Sequence, residues 1–400
     1  MEIGGVSVPV RKDRQITLLP KVPRNSAKGE VAGNFVAEWF GHRVFPVVAG
    51  TAGSIDDQRT SRCPFLSGAT GSQTKCIKSE RSRGICTISS PSAGARQDWL
   101  VCPLRGLDPD LLEDAVRRMY NIPLGEGIQL VAAPALVPEN RAAEFRAAAL
   151  EGKPSFVYFQ NKLGGEISIS PTARSPEFSF DVTIAHVVAE STETLGVGRY
   201  AVFEIQTMDF HGGYSAAVSN LRNALHLHGD NFPAAVEHNP QWLSERVQSP
   251  NIANVFKRTF YQMMFKFQVG AHGQSAGCVL AIPRPVWESW QRHLGAPELA
   301  AQPDGTWRLW NTTHSANEVP RAWIYVFDLD VSATTSPNQI RLLKVIGTDA
   351  PSLSHYALDV APSAALEAGG SVDRLLDTIR TRLSRYLVDF QKPRRGTPLV

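Results

Sequence analysis

SPEFSFDVTIAHV (175–187) and GRYAVFEIQ (198–206) are the two stretches of sequence that decide the fold. In the first, apolar residues alternate with polar ones, and the second is largely apolar, so both are predicted as strands with at least one buried face. Each contains an acidic residue among apolar neighbours, Asp181 in the first and Glu204 in the second. A carboxylate in such surroundings loses hydration unless a cation compensates, which predicts a divalent metal ion between these strands.

The spacing of Asp181, Glu204 and Gln206 is typical of one class of metal-dependent site. Side chains two positions apart on a strand share a face, so Glu204 and Gln206 are predicted to point the same way. An Asp followed by Glu-x-Lys on the next strand is the pattern of PD-(D/E)xK nucleases, whose lysine positions the attacking water. Gln206 stands where that lysine would be, and an amide orients water only through hydrogen bonds. Because similar spacings arise by chance, surface acids without a catalytic role are the alternative.

Four of the five cysteines are close together in the sequence, at Cys63, Cys76, Cys86 and Cys102. Their number fits a tetrahedral four-thiolate site for zinc or iron, although the closely spaced cysteine pairs of a zinc ribbon are absent. Ordinary free or buried cysteines are the alternative, and disulfides are least expected because the first residues contain no apolar export segment. Basic residues are interleaved with the thiols and suit contact with a phosphate backbone; they are Arg59, Arg62, Lys75, Lys78, Arg81 and Arg83.

The composition indicates a globular protein with a substantial core. The chain of 400 residues is 43% hydrophobic and 20% charged, with a formal net charge of +3. No apolar run approaches the roughly 18 residues of a membrane span, so no membrane partner and a cytoplasmic, bacterial location are expected. The segment GATGSQTK (68–75) lacks the spacing of a nucleotide-binding phosphate loop, which argues against nucleotide hydrolysis.

The order of predicted elements indicates an α/β fold with a central mixed sheet flanked by helices. Predicted helices cover 108–120, 141–151 with Asn140 as N-cap, 214–227, 254–267, 283–293 and 371–390, and predicted strands cover 155–160, 166–170, 177–184, 199–207, 275–282 and 323–329.

Several segments, in this order, resemble the NotI-type restriction endonucleases. They are NFVAEWFGHRVFP (34–46), RCPFL (62–66), SRGIC (82–86), DWLVCP (98–103), FQNKLGGEISIS (159–170), SPEFSFD (175–181), EIQTMDFHGGY (204–214), NVFKRTFYQM (254–263) and LAIPRPVW (280–287). The resemblance runs from about Asn34 to Asp330. It implies a PD-(D/E)xK nuclease core with a small N-terminal metal-binding domain built around the four cysteines.

The resemblance also implies roles for two sets of residues. Cys63, Cys76, Cys86 and Cys102 match a four-thiolate site that holds structural iron in that family, while four thiolates alone would accept zinc equally. Glu166, Asp181, Glu204 and Gln206 match its active site, so Gln206 in place of lysine is a family trait there. The expected domains are a basic N-terminal arm (1–33), the four-cysteine metal-binding domain (34–120), the nuclease domain (121–335) and a C-terminal helical extension (336–400).

The expected function is that of a type II restriction endonuclease making Mg2+-dependent double-strand cuts at a GC-rich palindromic site. Asp181, Glu204 and the Ile205 carbonyl would bind Mg2+, and Glu166 would support a second ion or its waters. Gln206 would orient the attacking water, and Lys162 or Arg199 would help to neutralise the phosphate. Base contacts to guanine would come from the basic residues near the cysteines, or from Lys257 and Arg258.

A palindromic target suits a homodimer on double-stranded DNA, and a cognate DNA methyltransferase is expected in the same system. Two alternatives stay open. A metal-stabilised, sequence-specific DNA-binding protein without cleavage would use the cysteine region and the basic ends. A metallohydrolase of small molecules would need a closed pocket, and the basic cysteine region argues mildly against it.

Overall fold

A computed structural model describes residues 33–92, 95–311, 314, 318–329, 336–367 and 371–387 of the chain. The predicted basic arm lies outside these residues except for Gly33, as do the last residues of the helix predicted over 371–390. Within the helix that spans 252–270, the side chains of 252–254, 256 and 257 are also outside the description.

Seventeen strands are present in the described residues. They are β1 Phe35–Trp39, β2 His42–Arg43, β3 Ile85–Ser92, β4 Ala95–Leu100, β5 Gln129–Ala132, β6 Ser155–Gln160, β7 Ile167–Ile169, β8 Phe178–Phe180, β9 Val182–Ala189, β10 Leu195–Ile205, β11 Phe210–Gly212, β12 Val247–Pro250, β13 Ser275–Pro283, β14 Ala300–Ala301, β15 Trp307–Arg308, β16 Ala322–Leu329 and β17 Ile340–Thr348.

The same residues contain eleven α-helices. They are α1 Ala52–Thr60, α2 Pro64–Thr70, α3 Pro109–Tyr120, α4 Glu139–Leu150, α5 Ser215–His228, α6 Phe232–His238, α7 Ile252–Gly270, α8 Arg284–His293, α9 Ala350–His355, α10 Ala361–Glu367 and α11 Ser371–Leu383.

A nine-stranded mixed sheet forms the centre of the molecule, in the order β14-β15-β17-β16-β13-β10-β9-β6-β5. Strand β10 is parallel to β13 and antiparallel to β9, so the two sequence stretches that predict the metal site are direct neighbours. A second, four-stranded antiparallel sheet, β2-β1-β3-β4, carries Cys86 on β3. The predicted α/β class with a central mixed sheet and flanking helices is therefore confirmed.

The two faces of the central sheet bury two separate hydrophobic cores. On one face, Phe203 and Ile205 of β10 share a core with helix α3 and with three of the clustered cysteines. On the other face, Val202 shares a core with Met263 and Phe267 of α7. Successive strand residues point to opposite faces, so residues two positions apart share a face. Glu204 therefore lies on the same face as Val202, which is the face that α7 covers.

Three element predictions differ from the structure. The strand predicted over 177–184 breaks at Asp181, because β8 pairs with β7 in a separate two-stranded sheet whereas β9 joins the central one. The predicted N-cap Asn140 is wrong: helix α4 begins at Glu139, and Pro138 occupies the cap position. The predicted C-terminal helical extension contains β17, which pairs antiparallel with β16 inside the central sheet.

Candidate functional site

Asp181 and Glu204 lie side by side where two strands of the central sheet meet. The register pairs Val182 with Phe203, so these two acids occupy the next position along the pair. The Asp181 backbone N–H donates to Glu204 Oε1 at 3.1 Å, and the Ile205 backbone N–H donates to Asp181 Oδ2 at 2.9 Å. Each carboxylate thus accepts a backbone N–H at or next to the residue that carries the other carboxylate. These two hydrogen bonds hold both side chains in one place.

The two carboxylates disfavour each other's negative charge, and Glu204 feels this most because it is buried. Glu204 is only 6% exposed. Burial and, after it, the negative charge of Asp181 raise its pKa to about 8, although Lys266 opposes both effects in part. Two adjacent acids of this kind favour a bound cation, because a cation lowers the cost of keeping them ionised.

Helix α7 supplies two polar residues that the sequence reasoning missed. The Lys266 Nζ donates to Glu204 Oε2, and both side chains are buried. Thr259 Oγ1 donates to Gln206 Oε1 at 2.5 Å. The two residues are seven positions apart, which is about two helical turns and therefore the same face. A signal for Lys266 was present in the sequence, since it is the only charged residue in the run MMFKF (263–267).

Gln206 is held at the end of β10 by two further hydrogen bonds. Its backbone N–H donates to the Ala281 carbonyl at 2.9 Å, and its side-chain amide donates to the Thr207 carbonyl. With Oε1 accepting from Thr259, the amide is fixed in one orientation. The pocket therefore has a rigid neutral amide on the same face as Glu204, as its position two residues later predicts.

Glu166 approaches the same end of the pocket from the two-stranded sheet. Ile167 of β7 pairs with Phe180 of β8, so continuing the antiparallel register places Glu166 opposite Asp181. Its side chain is exposed, and Glu166 Oε1 accepts from Asn161 at 3.2 Å. Backbone register thus brings Glu166 to the site, and its role stays a prediction.

The two residues expected to neutralise phosphate lie in different parts of the structure. Lys162 is exposed in the loop that leads to Glu166. Arg199 precedes Glu204 by five residues on β10, which at about 3.3 Å per residue places it about 16 Å away. Its guanidinium lies 5.6 Å from the centre of the Tyr120 ring. The expectation for Arg199 is wrong, because the length of the strand separates it from the carboxylates.

The four clustered cysteines gather on one side of the central sheet. Cys63, Cys86 and Cys102 are buried in the core that also contains Ile205, and Cys76 packs against that core. Cys63 and Cys102 are each followed by proline and begin a helical turn. The sulfur of Cys63 accepts backbone N–H groups two and three residues later, and the sulfur of Cys102 does the same. Such turns point N–H groups at a sulfur and stabilise its thiolate form.

Their electrostatics indicate a mixture of thiol and thiolate. A hydrogen bond with Cys86 lowers the pKa of Cys102 to about 6, and the charge of Lys78 acts in the same direction. The bond with Cys102, followed by burial, raises the pKa of Cys86. Burial raises the pKa of Cys63 to about 12. Four neutral thiols would be inert, whereas this cluster already favours one anion.

The donor chemistry of the cluster fits a soft or borderline ion, since four sulfurs and thiolate-stabilising N–H groups share one region. Within the described ranges, however, no group of three or more His, Cys, Asp or Glu side chains stands in an arrangement that holds a metal ion. The sulfurs therefore share a region without forming a preformed cage. Iron and zinc stay open.

Most of the predicted base-reading residues are engaged within the chain. Ion pairs join Arg59 to Asp230 at 2.7 Å, Arg62 to Asp57, Arg83 to Glu80, and Arg258 to Asp209 at 2.7 Å. The Lys78 ammonium donates to the Ile85 and Val101 carbonyls at 2.6 and 2.9 Å, so it braces the cysteine region instead of reaching outward. Lys75 and Arg81 are exposed, and the Lys257 side chain lies outside the described residues.

Helices in the described part of the chain are all too short or too polar to cross a membrane. No protein-family model matches the sequence, and no curated protein matches it.

Proposed function

We propose that this protein is a type II restriction endonuclease of the PD-(D/E)xK class, which cuts both strands of a GC-rich palindromic DNA site in the presence of Mg2+. One observation carries the proposal: Asp181 and Glu204 are held together on adjacent strands, with Gln206 on the same face as Glu204. This arrangement supports hydrolysis of a phosphodiester bond, because it combines paired carboxylates with a fixed water-orienting amide.

Asp181 and Glu204 would hold the divalent ion, together with the Ile205 carbonyl, and Glu166 would support a second ion at the exposed rim. When bound, Mg2+ supplies the Lewis acidity that polarises the phosphate and lowers the pKa of the attacking water. The donor set fits it, because carboxylate and carbonyl oxygens are the ligands that Mg2+ prefers.

The chain itself provides orientation. Thr259 occupies one side of the Gln206 carbonyl oxygen at 2.5 Å, which leaves the remaining lone pair of that oxygen to accept from a water in the pocket. A water oriented in this way loses less freedom on reaching the phosphorus than a free one does. Lys162 is exposed in the loop that leads to Glu166 and would contact the DNA backbone.

The cysteine region would present the DNA-contacting surface. Cys63, Cys76, Cys86 and Cys102 would hold iron or zinc, which would stabilise the loops that carry Lys75 and Arg81. A homodimer would bring one pocket to each DNA strand, and a cognate methyltransferase would protect the host site.

A cleavage assay tests the proposal. Purified protein is incubated with large GC-rich DNA and Mg2+, beside Asp181→Asn and a control, Asp373→Asn, which changes an exposed acid on α11. Discrete fragment ends, absent only with Asp181→Asn, are expected, and sequencing them gives the target. Specific binding without cleavage would refute the nuclease and support the DNA-binding alternative.

A further inference from the structure

We infer that Lys266 of helix α7 is the cationic positioning residue of this pocket and takes the place of the lysine that Gln206 replaces just after β10. The inference rests on the proposed function for its reaction, and on the geometry around Glu204 for its location. In the resting site, Lys266 neutralises Glu204. In the loaded site, its ammonium turns toward the phosphate.

Lys266 is positioned by contacts that hold its ammonium at the carboxylate pair. Helix α7 packs against β13 and β10, which places the lysine over the Glu204 face of the sheet. The side chain is 8% exposed, and its Nζ lies 5.9 Å from the centre of the Phe180 ring. The ammonium thus sits between Glu204 and an aromatic face, both of which attract a cation.

A purely structural ion pair is a poor explanation for this lysine. Burying two charges costs several kcal/mol of desolvation for each ion, and apolar replacements of similar volume are often at least as stable. The pair also leaves too little positive charge, because one ammonium faces two carboxylates, Glu204 and its neighbour Asp181. A bound divalent ion would supply the missing positive charge and take the place of the ammonium at the Glu204 oxygen.

The flexible stem of a lysine permits this exchange. Its four-carbon chain lets the ammonium move by a few ångströms without any change in helix α7. Thr259, on the same helical face, fixes Gln206 beside it. The helix therefore brings both of the missing functions to the pocket: a positive charge from Lys266, and an oriented amide through Thr259.

The role of Lys266 in the reaction is electrostatic. A water oxygen forms a bond to phosphorus while the bond from phosphorus to the departing sugar oxygen breaks. The proton of the water passes to solvent, and the departing oxygen takes a proton from solvent. Lys266 stays protonated throughout and stabilises the added negative charge on the phosphate oxygens.

Charge relocation tests the inference. Lys266→Met keeps most of the length of the side chain and removes its charge, and Gln206→Lys restores a cation at the residue that follows β10. Single-turnover cleavage in Mg2+ is expected to fall about 100-fold or more in Lys266→Met, with a much smaller change in DNA binding in Ca2+. The double variant, Gln206→Lys with Lys266→Met, is expected to recover at least about tenfold. Full activity of Lys266→Met, or a double variant no faster than it, would overturn the inference.

Metal binding without DNA separates this inference from the proposed function. Mn2+ titration followed by electron paramagnetic resonance is expected to show about tenfold tighter binding by Lys266→Met than by the wild-type protein, because the ammonium no longer competes for Glu204. Unchanged or weaker Mn2+ binding would place Lys266 outside the metal site. If the wild-type protein cuts no DNA, the proposed function fails, and the Mn2+ titration alone decides the location of Lys266.

Discussion

Arg105→Met is expected to destabilise the whole fold, because it breaks a buried ion pair from one side. Arg105 is 2% exposed and Glu38 is fully buried. The guanidinium donates twice to that carboxylate, from Nε at 3.0 Å and from Nη2 at 3.2 Å, and it also donates to the Asn338 carbonyl. Methionine fills most of the same volume and supplies none of these donors.

The expected loss follows from what the substitution leaves behind. Glu38 would keep the Thr87 hydroxyl and the charge of Arg43, yet it would lose both guanidinium donors. Removing one partner of a buried pair costs about 3–5 kcal/mol. Natural domains are stable by about 5–15 kcal/mol, so this one change would remove a large share of the total.

Equilibrium unfolding in urea, followed by circular dichroism, measures the change. The control is Arg380→Met, which removes an exposed pair with Asp377 and should cost at most about 0.5 kcal/mol. Replacing both buried partners, Glu38→Met with Arg105→Met, should be less damaging than Arg105→Met alone, since no charge stays unpaired. A loss below about 1 kcal/mol in Arg105→Met would refute the reasoning.

Three further predictions concern pH, packing and metal content. Burial alone would raise the pKa of Glu38, but Arg105 and Arg43 outweigh it and lower the pKa below 4.5. The ionised carboxylate therefore stabilises the fold fully above pH 4.5, and this stabilisation is lost as the pH falls through the lowered pKa. Urea unfolding between about pH 3 and 6 measures the loss. Gly106→Ala places a Cβ 2.7 Å from Ile205 Cγ2, so it should cost about 1–3 kcal/mol and slow cleavage. Cys86→Ser should release the structural metal, measured by elemental analysis, and abolish DNA binding.

Each of these predictions has a matched control. Glu38→Gln should remove the steep acid loss, and an unaltered pH profile would contradict the assignment to this carboxylate. Gly53→Ala adds a Cβ with nothing within 4 Å, so it should leave both stability and cleavage intact. Cys278→Ser changes a cysteine buried away from the cluster and should keep the metal, and metal retained by Cys86→Ser would contradict the four-thiolate site.

The sequence predicts the local elements well where periodicity is strong. The strand over 155–160 has the bounds of β6, and the helix predicted over 108–120 is α3, which begins one residue later because Asp108 is its N-cap and its carboxylate accepts two backbone N–H groups. The pairing of the strands that carry Asp181 and Glu204 also follows from local pattern, because apolar residues alternate with polar ones and indicate buried faces. Their chemical roles stay predictions, because geometry alone does not establish cleavage.

Other features are beyond local reasoning because they depend on distant contacts. The first half of strand β17 is exposed and its second half is buried. Its residues therefore do not alternate between apolar and polar in the way that predicts a strand. Lys266 is close to Glu204 only because α7 packs on the sheet. Ion pairs such as Arg59 with Asp230 join residues far apart in sequence, and they explain why interleaved basic residues do not all face outward.

The alternation of side chains along β10 has an evolutionary consequence. Glu204 faces α7, while the adjacent Ile205 packs against Gly106 in the turn that follows Cys102. The Met208 backbone N–H also donates to the Leu100 carbonyl at 2.7 Å, just before that turn. Changes in this turn would disturb the carboxylates directly. Under the proposed function, a lineage acquiring a new DNA target would therefore vary the exposed loops between the cysteines and conserve the turn itself.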